Sequence, residues 1–559
     1  MTQIIKAGEK NLRDVFSDSY LFHIPLYQRP YAWTVEQVDE LLDDLLNALE
    51  QDPQAPYFLG SIVLIKDEHH PKSAVVDGQQ RLTTLTMILC ALRDLVTRDK
   101  DRTDLDAFVK QEGNDLKGTQ DQFRLRLRDR DRTFFEEHVQ TRGNINRLLT
   151  EDWAGQSDIQ RRITDNFTLI VETLKPLTDS RRRELAKFIV LQCFLVVVTA
   201  TDRDSAYRIF SVMNDRGLDL SPTDILKADT IGDLEESEQL SYGNIWETIE
   251  ERLSRDNFRD LFTHIRMIQL KTKMRQTLQA DFLQHVLTES TGCDFIDYTL
   301  VPYAKVYETV LDCSYQSTHY AEEVNKLLSY LGRLDNSDWI PPAMAFLHKH
   351  SLDYEKVVKF TRDLERLAYA LFVSRANVNE RIKRYARVLN AIEQGDDLLL
   401  PDSPLQLTSE EKHNVLQRLD GEVYTWVAVA RRVTMLRLDS LVAEAEAGAK
   451  YDHRIVTVEH VLPQNPMEDS EWIKRFPDED ERYQWTHRLA NLVLLSRRKN
   501  ASASNWDFEQ KKRAYFEHGG VSVFALTTQV LGESEWTPAV LERRQKNLVD
   551  LLAKEWRLV

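Results

Sequence analysis

A mixed α+β chain, mostly helical, is what the sequence predicts, and three observations carry that expectation. At 57–92 a β-rich run, a tight glycine turn and an apolar-striped helix follow one another, the order of an α/β unit. From about 236 to 450 apolar residues recur at helical spacing, as in Val324, Leu327, Leu328 and Leu331, or Val357, Val358, Phe360, Leu364, Leu367 and Leu371. Beyond 450 two short apolar runs are separated by a polar stretch and followed by helical periodicity at Leu541, Leu548, Leu551 and Leu552. The expected domains are an α/β domain at 1–235, a helical connector at 236–450 and a small strand-and-helix domain at 451–559. At 559 residues the chain exceeds one usual hydrophobic core, which fits two or three domains.

Composition narrows the class. Hydrophobic residues at 42% and charged residues at 29% describe a soluble globular chain. Cys90, Cys193, Cys293 and Cys313 lie far apart with no Cys-x-x-Cys pair, against a zinc knuckle or a disulfide framework and in favour of a reducing cytoplasm. Residues 1–16 lack the apolar core of a signal peptide. The longest apolar run, 188–200, is broken by Gln192 and too short for a bilayer, which takes about 20 residues, so no membrane association is expected. A net charge of −17 means that any contact with nucleic acid needs local clusters of Arg and Lys. Three clusters stand out: Arg124, Arg126, Arg128, Arg130 and Arg132; Arg181-Arg182-Arg183; and Arg497-Arg498-Lys499. The first two read more simply as solvated faces.

Taken in order, residues 21–33 read Leu-Phe-His-Ile-Pro-Leu-Tyr-Gln-Arg-Pro-Tyr-Ala-Trp. Two prolines keep this segment extended. Thr34 with Gln37 forms a capping box, and Val35, Val38, Leu41, Leu42, Leu45 and Leu49 stripe the helix that follows. That helix anchors the segment, leaving Tyr27, Gln28, Arg29, Tyr31 and Trp33 to face a ligand. A strand at 57–65, a polar turn at 66–73 and a short strand at 74–76 lead to Asp77-Gly78-Gln79-Gln80-Arg81, then to a helix carrying Leu82, Leu85, Ile88, Leu89 and Leu92. A strand, a glycine turn and a helix start point several backbone N–H groups outward, where an anion satisfies them. Arg81 would add a permanently charged fork, and Asp77 a group to hold a metal or orient a water. Alone, an Asp-Gly turn before a helix is most often an ordinary turn.

Together with Pro-Leu-Tyr-Gln-Arg-Pro-Tyr-x-Trp and Tyr57-Phe58-Leu59-Gly60-Ser61-Ile62, this stretch resembles the ParB-like N-terminal domain of the GmrS type. The resemblance implies a bound nucleoside triphosphate, hydrolysed there, with Asp77, Gly78, Gln79, Gln80 and Arg81 in contact with it. A purely structural role for the motif is the alternative. Residues 188–200 start helical and end as a strand at 194–198. A helix from Ala206 closes at Gly217, and Ser221-Pro222-Thr223-Asp224 opens the next. The run from Asn214 to Lys227 also matches the GmrS-like pattern, so these two residues either complete the nucleotide pocket or serve as loop and helix caps.

The connector carries no chemical motif and no repeat of 20 to 50 residues. A loop is expected at 395–407, with Thr408 and Glu411 restarting a helix. His348 and His350 stand singly and read as surface or core residues. Near the C-terminus the chain reads Thr457-Val458-Glu459-His460-Val461-Leu462-Pro463-Gln464-Asn465, answered by His487-Arg488-Leu489-Ala490-Asn491-Leu492-Val493-Leu494-Leu495 and by Asn500. An acid beside a histidine at a strand end, an asparagine leading a second strand and an asparagine opening a helix supply what a one-metal phosphodiesterase needs.

These residues resemble the HNH (ββα-metal) endonucleases, and specifically the C-terminal domain of the GmrSD family. The resemblance implies that His460 is the general base, that Glu459 and Asn500 hold a divalent metal, Mg2+ or Mn2+, and that Asn491 props the loop. Glu459 stands where many such enzymes have Asp, and Ala490 where the family often has Gly. The whole then resembles a single-chain type IV restriction enzyme: a cytoplasmic, nucleotide-regulated endonuclease cutting modified double-stranded phage DNA, for which a homodimer is one candidate assembly. Tyr27, Gln28, Arg29, Tyr31 and Trp33 are the expected modification-sensing surface, with Arg497, Arg498 and Lys499 beside the scissile phosphate. The alternatives are a nucleotide-switched ParB-like DNA-binding regulator with an inactive HNH domain, and a nuclease directed at RNA.

Overall fold

The computed structural model describes all residues except 1–5, 26–27, 29, 68–69, 117, 151–156, 203–204, 207–208, 210–221, 233, 289–290, 447–455, 497–504 and 518–523. They form two compact units, Met1–Thr248 and Ile249–Val559. The division between the units falls inside the Glu236–Leu253 helix, and the expected boundary at 235 falls just before that helix starts. The fold is mixed α+β and mostly helical, as predicted.

Among the described residues the first unit holds eight strands: β1 (Lys6–Asn11), β2 (Leu21–His23), β3 (Tyr57–Lys66), β4 (Lys72–Asp77), β5 (Lys110–Gln111), β6 (Gln122–Phe123), β7 (Leu125–Arg126) and β8 (Cys193–Ala200). Six of them form one mixed sheet in the order β1-β8-β3-β4-β2-β7, and β5 and β6 form a small hairpin. The strands expected at 57–65, 74–76 and 194–198 are present as β3, β4 and β8. β1 and β2 have too little apolar alternation to announce themselves; the ladders to β8 and β4 recruit them. Behind the sheet, the Gln79–Leu95 helix is buried at every residue from Gln79 to Arg93 except Arg81. It packs among the Val35–Gln51, Asp158–Leu174 and Asp179–Leu191 helices, and their side chains share one core with Leu64, Val75 and Leu195 of the sheet. Buried Arg93 is tolerated because Asp94 at 2.8 Å, Asp106 at 2.7 Å and the Gln140 carbonyl at 2.7 Å accept from it.

The second unit is helical up to β9 (Val456–His460) and β10 (Leu492–Ser496), an antiparallel pair with His460 opposite Leu492. Thr408 and Glu411 form the expected capping box. The stretch read as a connector and the C-terminal stretch lie in one unit. The Ala428–Glu446 helix packs on β9, and the Ala525–Leu531 helix packs on β10. Trp472, Phe476, Phe508, Trp536, Val540 and Leu541 enclose the side chains of Val461, Val493 and Leu495, so the terminal helices supply the core that two short strands lack. Among the described residues no helix is long and apolar enough to cross a membrane.

His264, on the Arg255–Leu270 helix, makes this unit pH-sensitive. It is buried edge-on against Tyr307 at 5.3 Å, and burial lowers its pKa from 6.5 to about 4. The folded chain holds it neutral while the unfolded chain protonates it near 6.5. Its contribution is therefore complete above that pH and is lost as pH falls from 6.5 toward 4, by about 3 kcal/mol in all. Denaturant titrations at pH 7 and 4.5 should show this loss and a smaller one in His264→Phe; equal losses would refute it.

Candidate functional site

The glycine turn is locally determined. Asp77 ends β4, and its Oδ1 accepts the Gly78 N–H at 2.7 Å. Gly78 has φ +91°, and a Cβ there would meet Ile62 Cγ2 at 2.3 Å, so only glycine lets β4 turn directly into the Gln79–Leu95 helix. Gly60 (φ +103°) sits where β3 shifts register, and a Cβ on it would stand 3.0 Å from the Arg81 guanidinium. Arg81 Nη1 donates to the Ser61 carbonyl at 3.0 Å. Two motifs separate in sequence thus fit one another: the glycine of the first leaves room for the arginine of the second. Burial lowers the Arg81 pKa and the nearby Asp77 charge opposes that.

The extended segment is bound to the same turn. Gln80 Oε1 accepts from the Ala32 and Trp33 N–H groups at 2.7 and 3.3 Å, and its Nε2 donates to the Pro30 carbonyl at 3.1 Å. Gln79 Nε2 donates to the same carbonyl at 3.3 Å. Gln28 Nε2 donates to the Val76 carbonyl at 2.9 Å. The Tyr31 hydroxyl meets Thr84 at 2.8 Å and accepts from Asn166 at 3.1 Å, and burial pushes its pKa up to about 12. This corrects the expectation that the segment's polar side chains face a ligand. Gln28 and Tyr31 are 5% and 4% exposed and are used inward, and Gln79 and Gln80 are buried too. Their polar groups found chain partners because a buried one without a partner is costly. Trp33 packs partly against the core. Tyr27 and Arg29 lie outside the described residues.

Lys227 is 2% exposed, and its Nζ donates to Glu247 at 2.8 Å. The same carboxylate accepts from Arg128 and lies 3.9 Å from Arg130. Arg128 also pairs with Asp131 at 2.8 Å and reaches the Gln28 carbonyl at 3.4 Å. Burial pushes the Glu247 carboxyl up, but Lys227 and Arg128 outweigh it and hold it below its usual range. Lys227 is therefore a buried ion-pair partner rather than a helix cap, while Asn214 lies outside the described residues. Neither Glu247 nor the role of Arg128 was anticipated. Arg124 and Arg128 are buried, whereas Arg126 is exposed, so a solvated face is the wrong reading for the first two. Their spacing of two gave no signal of this, since residues i, i+2 and i+4 of extended chain line one face, whereas Arg126 is exposed between two buried arginines.

In the second unit, His460 ends β9 with 4% exposure. Its ring lies 3.9 Å from that of Tyr424 and 5.5 Å from that of His487, and Nδ1 is 3.3 Å from Gln464 Nε2. Nε2 is buried with no hydrogen-bond partner among the described residues. Burial, then the nearby His487, Lys511 and Arg431, lower the His460 pKa to about 3, so the imidazole is neutral. Glu459 beside it is partly exposed. Lys511 is fully buried and donates from Nζ to the His460 carbonyl at 2.7 Å. Burial brings its pKa down to about 8, against the pull of Glu459.

Asn491 is fully buried and uses both ends of its amide. Its Oδ1 accepts from the Leu462 N–H at 2.7 Å and Trp536 Nε1 at 3.1 Å, and its Nδ2 donates to the Leu462 and Thr486 carbonyls at 2.9 and 3.0 Å. It positions the turn after His460 and touches no open space, so it is not a reacting group. Asn500, Arg497, Arg498 and Lys499 lie outside the described residues. Sequence reasoning missed Tyr424, which comes from the stretch read as connector, and the burial of Lys511.

The residues present suit a divalent cation in kind. A carboxylate oxygen at 459 and an amide oxygen at 500 are hard donors, and Mg2+ needs only one or two carboxylates with retained waters. Nε2 of His460 is a buried proton acceptor with no hydrogen-bond partner among the described residues. Among the described residues no group of three or more His, Cys, Asp or Glu is arranged to hold a metal.

Comparison with known families matches both ends of the chain. Residues 12–231 match the family model of the GmrSD restriction endonuclease N-terminal domain, and 413–551 that of the GmrSD restriction endonuclease C-terminal domain. The class is thus a type IV restriction endonuclease, with DNA as its substrate. The chain belongs to the GmrSD family and carries both domains on one polypeptide. The second match begins well before 451 and takes in Tyr424, whose ring packs on His460. A comparison with curated proteins finds no match.

Proposed function

We propose that this chain is a nucleotide-regulated, metal-dependent endonuclease of the HNH type that cuts modified phage DNA. The observation that carries the reading is the neutral imidazole of His460: its Nε2 has no hydrogen-bond partner among the described residues, and its ring is braced by Tyr424 and Gln464. His460 takes the proton of the attacking water, whose oxygen then bonds to phosphorus as the bridging P–O bond breaks. Lys511 and Asn491 hold the strand end and the turn so that the imidazole keeps one orientation. Glu459 and Asn500 would hold Mg2+ or Mn2+, which when bound supplies positive charge against the phosphate. Cutting both strands calls for two such sites, which a homodimer provides.

One observation favours the second reading, a DNA-binding regulator whose nuclease domain is inactive. A base that is 4% exposed with a pKa of about 3 is poorly matched to proton abstraction near neutrality. Purified protein with Mg2+ or Mn2+ on plasmid and on modified phage DNA decides between them: metal-dependent nicking supports the enzyme, and intact DNA with retained binding supports the regulator.

The triphosphate site belongs to the glycine turn, where helix-start N–H groups and Arg81 favour anionic oxygens. Asp77→Ala should lower triphosphate hydrolysis at least roughly tenfold, with a thermal melt close to the parent's. Arg81→Ala should do the same through loss of charge. Hydrolysis at the parent rate in both would place the pocket elsewhere.

A further inference from the structure

The first unit holds a basic basin at the other end of β4 from the glycine turn. Leu21 and His23 share one face of β2, opposite the buried Phe22. Register puts Lys72 of β4 beside Leu21 and Arg126 of β7 beside His23, so Lys72, His23 and Arg126 occupy the same face of three adjacent strands. With the β5–β6 hairpin and the end of the Asp129–Phe135 helix they line a cavity of ≈ 630 Å³. Its cationic side chains are Lys72, Lys110, Arg126 and Arg132, against two acids, Asp121 and Glu136. Both acids are already engaged, Asp121 by Lys110 at 3.8 Å and Glu136 by Arg132 at 2.8 Å.

His23 Nδ1 is buried in this lining with no hydrogen-bond partner among the described residues. Burial, then Lys72 and Arg126, lower the His23 pKa to about 4, as positive potential in the basin requires. In a chain of net charge −17, a concave surface with excess cations is where a phosphate finds a favourable field. Lys72 opens β4 and Asp77 closes it, five residues and roughly 16 Å apart, so one ligand phosphate cannot serve both places.

We propose that this basin docks a phosphate of the DNA backbone, as a contact separate from the glycine turn. The inference rests on DNA being the substrate. The wide, open cavity and the cations spread over three strands suit a strand passing across it, and they place DNA on the N-terminal unit without reading its sequence.

The test uses the full chain and a fluorescein-labelled unmodified duplex, with anisotropy read across a potassium chloride series. Lys72→Ala/Arg126→Ala should bind at least tenfold more weakly, and its plot of log affinity against log salt should be shallower by about 1 to 2. Lys72→Arg/Arg126→Lys should keep the parent slope, and triphosphate hydrolysis should not change in either variant. Parent affinity and slope in the alanine variant would overturn the docking assignment, while metal-dependent cleavage by the parent would leave the nuclease reading intact. A parent that neither binds nor cuts DNA would overturn both. Calorimetric binding of inorganic phosphate that the alanine variant loses, with the duplex slope unchanged, would assign the basin to a free phosphate and also overturn it.

Discussion

His460→Ala should lower DNA cleavage by about 10²- to 10⁴-fold, the usual contribution of a positioned general base, while duplex binding stays at the parent level. The side chain sits at a strand end rather than in the middle of the C-terminal core, whose cluster is formed by Val461, Leu462, Trp472 and Trp536, so its removal takes away the proton acceptor before it takes away the fold. Rates should be measured on supercoiled plasmid and on modified phage DNA at saturating Mg2+ and Mn2+, with gel shift for binding and circular dichroism for folding. Unchanged cleavage would mean that the active site lies elsewhere in the chain. Loss of binding and cleavage together would show that the imidazole matters for structure and not for proton transfer.

Asn491→Leu should be the most destabilising single change in the C-terminal unit, by about 4 kcal/mol or more. The two residues have similar volume, so the cost is polar. The Leu462 N–H, the Trp536 Nε1–H, and the Leu462 and Thr486 carbonyls each lose a partner while remaining in a closed environment. A buried group left unsatisfied costs about 1–3 kcal/mol, and some relaxation keeps the total below the sum. Asn491→Asp, which keeps the acceptor and loses the Nδ2 donor, should fall between parent and Leu. Guanidinium titration followed by tryptophan fluorescence suits the measurement, because Trp536 reports on the same network. A midpoint equal to the parent's, with full cleavage, would remove Asn491 from the positioning of the turn.

Local chemistry was readable where the cause is local. The capping boxes at Thr34 and Gln37 and at Thr408 and Glu411 lie within one helical turn, and both are formed. The Asp77-Gly78 turn is set by a backbone angle that only glycine takes easily. The strands β3 and β8 show in their β-branched and aromatic residues. By contrast β2 is three residues long and is a strand only because β4 and β7 lie on either side. The arginines at 124 and 128 look like surface charge until Asp18, Asp131 and Glu247 are brought to them from distant positions.

Sequence by itself determined the family-defining residues, the strands β3, β4 and β8, the capping boxes at Thr34 and Thr408, and the Asp77-Gly78 turn. Only the tertiary structure decided that Gln28, Tyr31, Gln79 and Gln80 bind their own chain, that Lys227 answers Glu247, and that the imidazole at 460 stays uncharged beneath Tyr424. The division has one physical reason: a turn or a cap is settled by neighbours along the chain, whereas burial, charge state and the choice of hydrogen-bond partner depend on groups that meet only when distant segments pack.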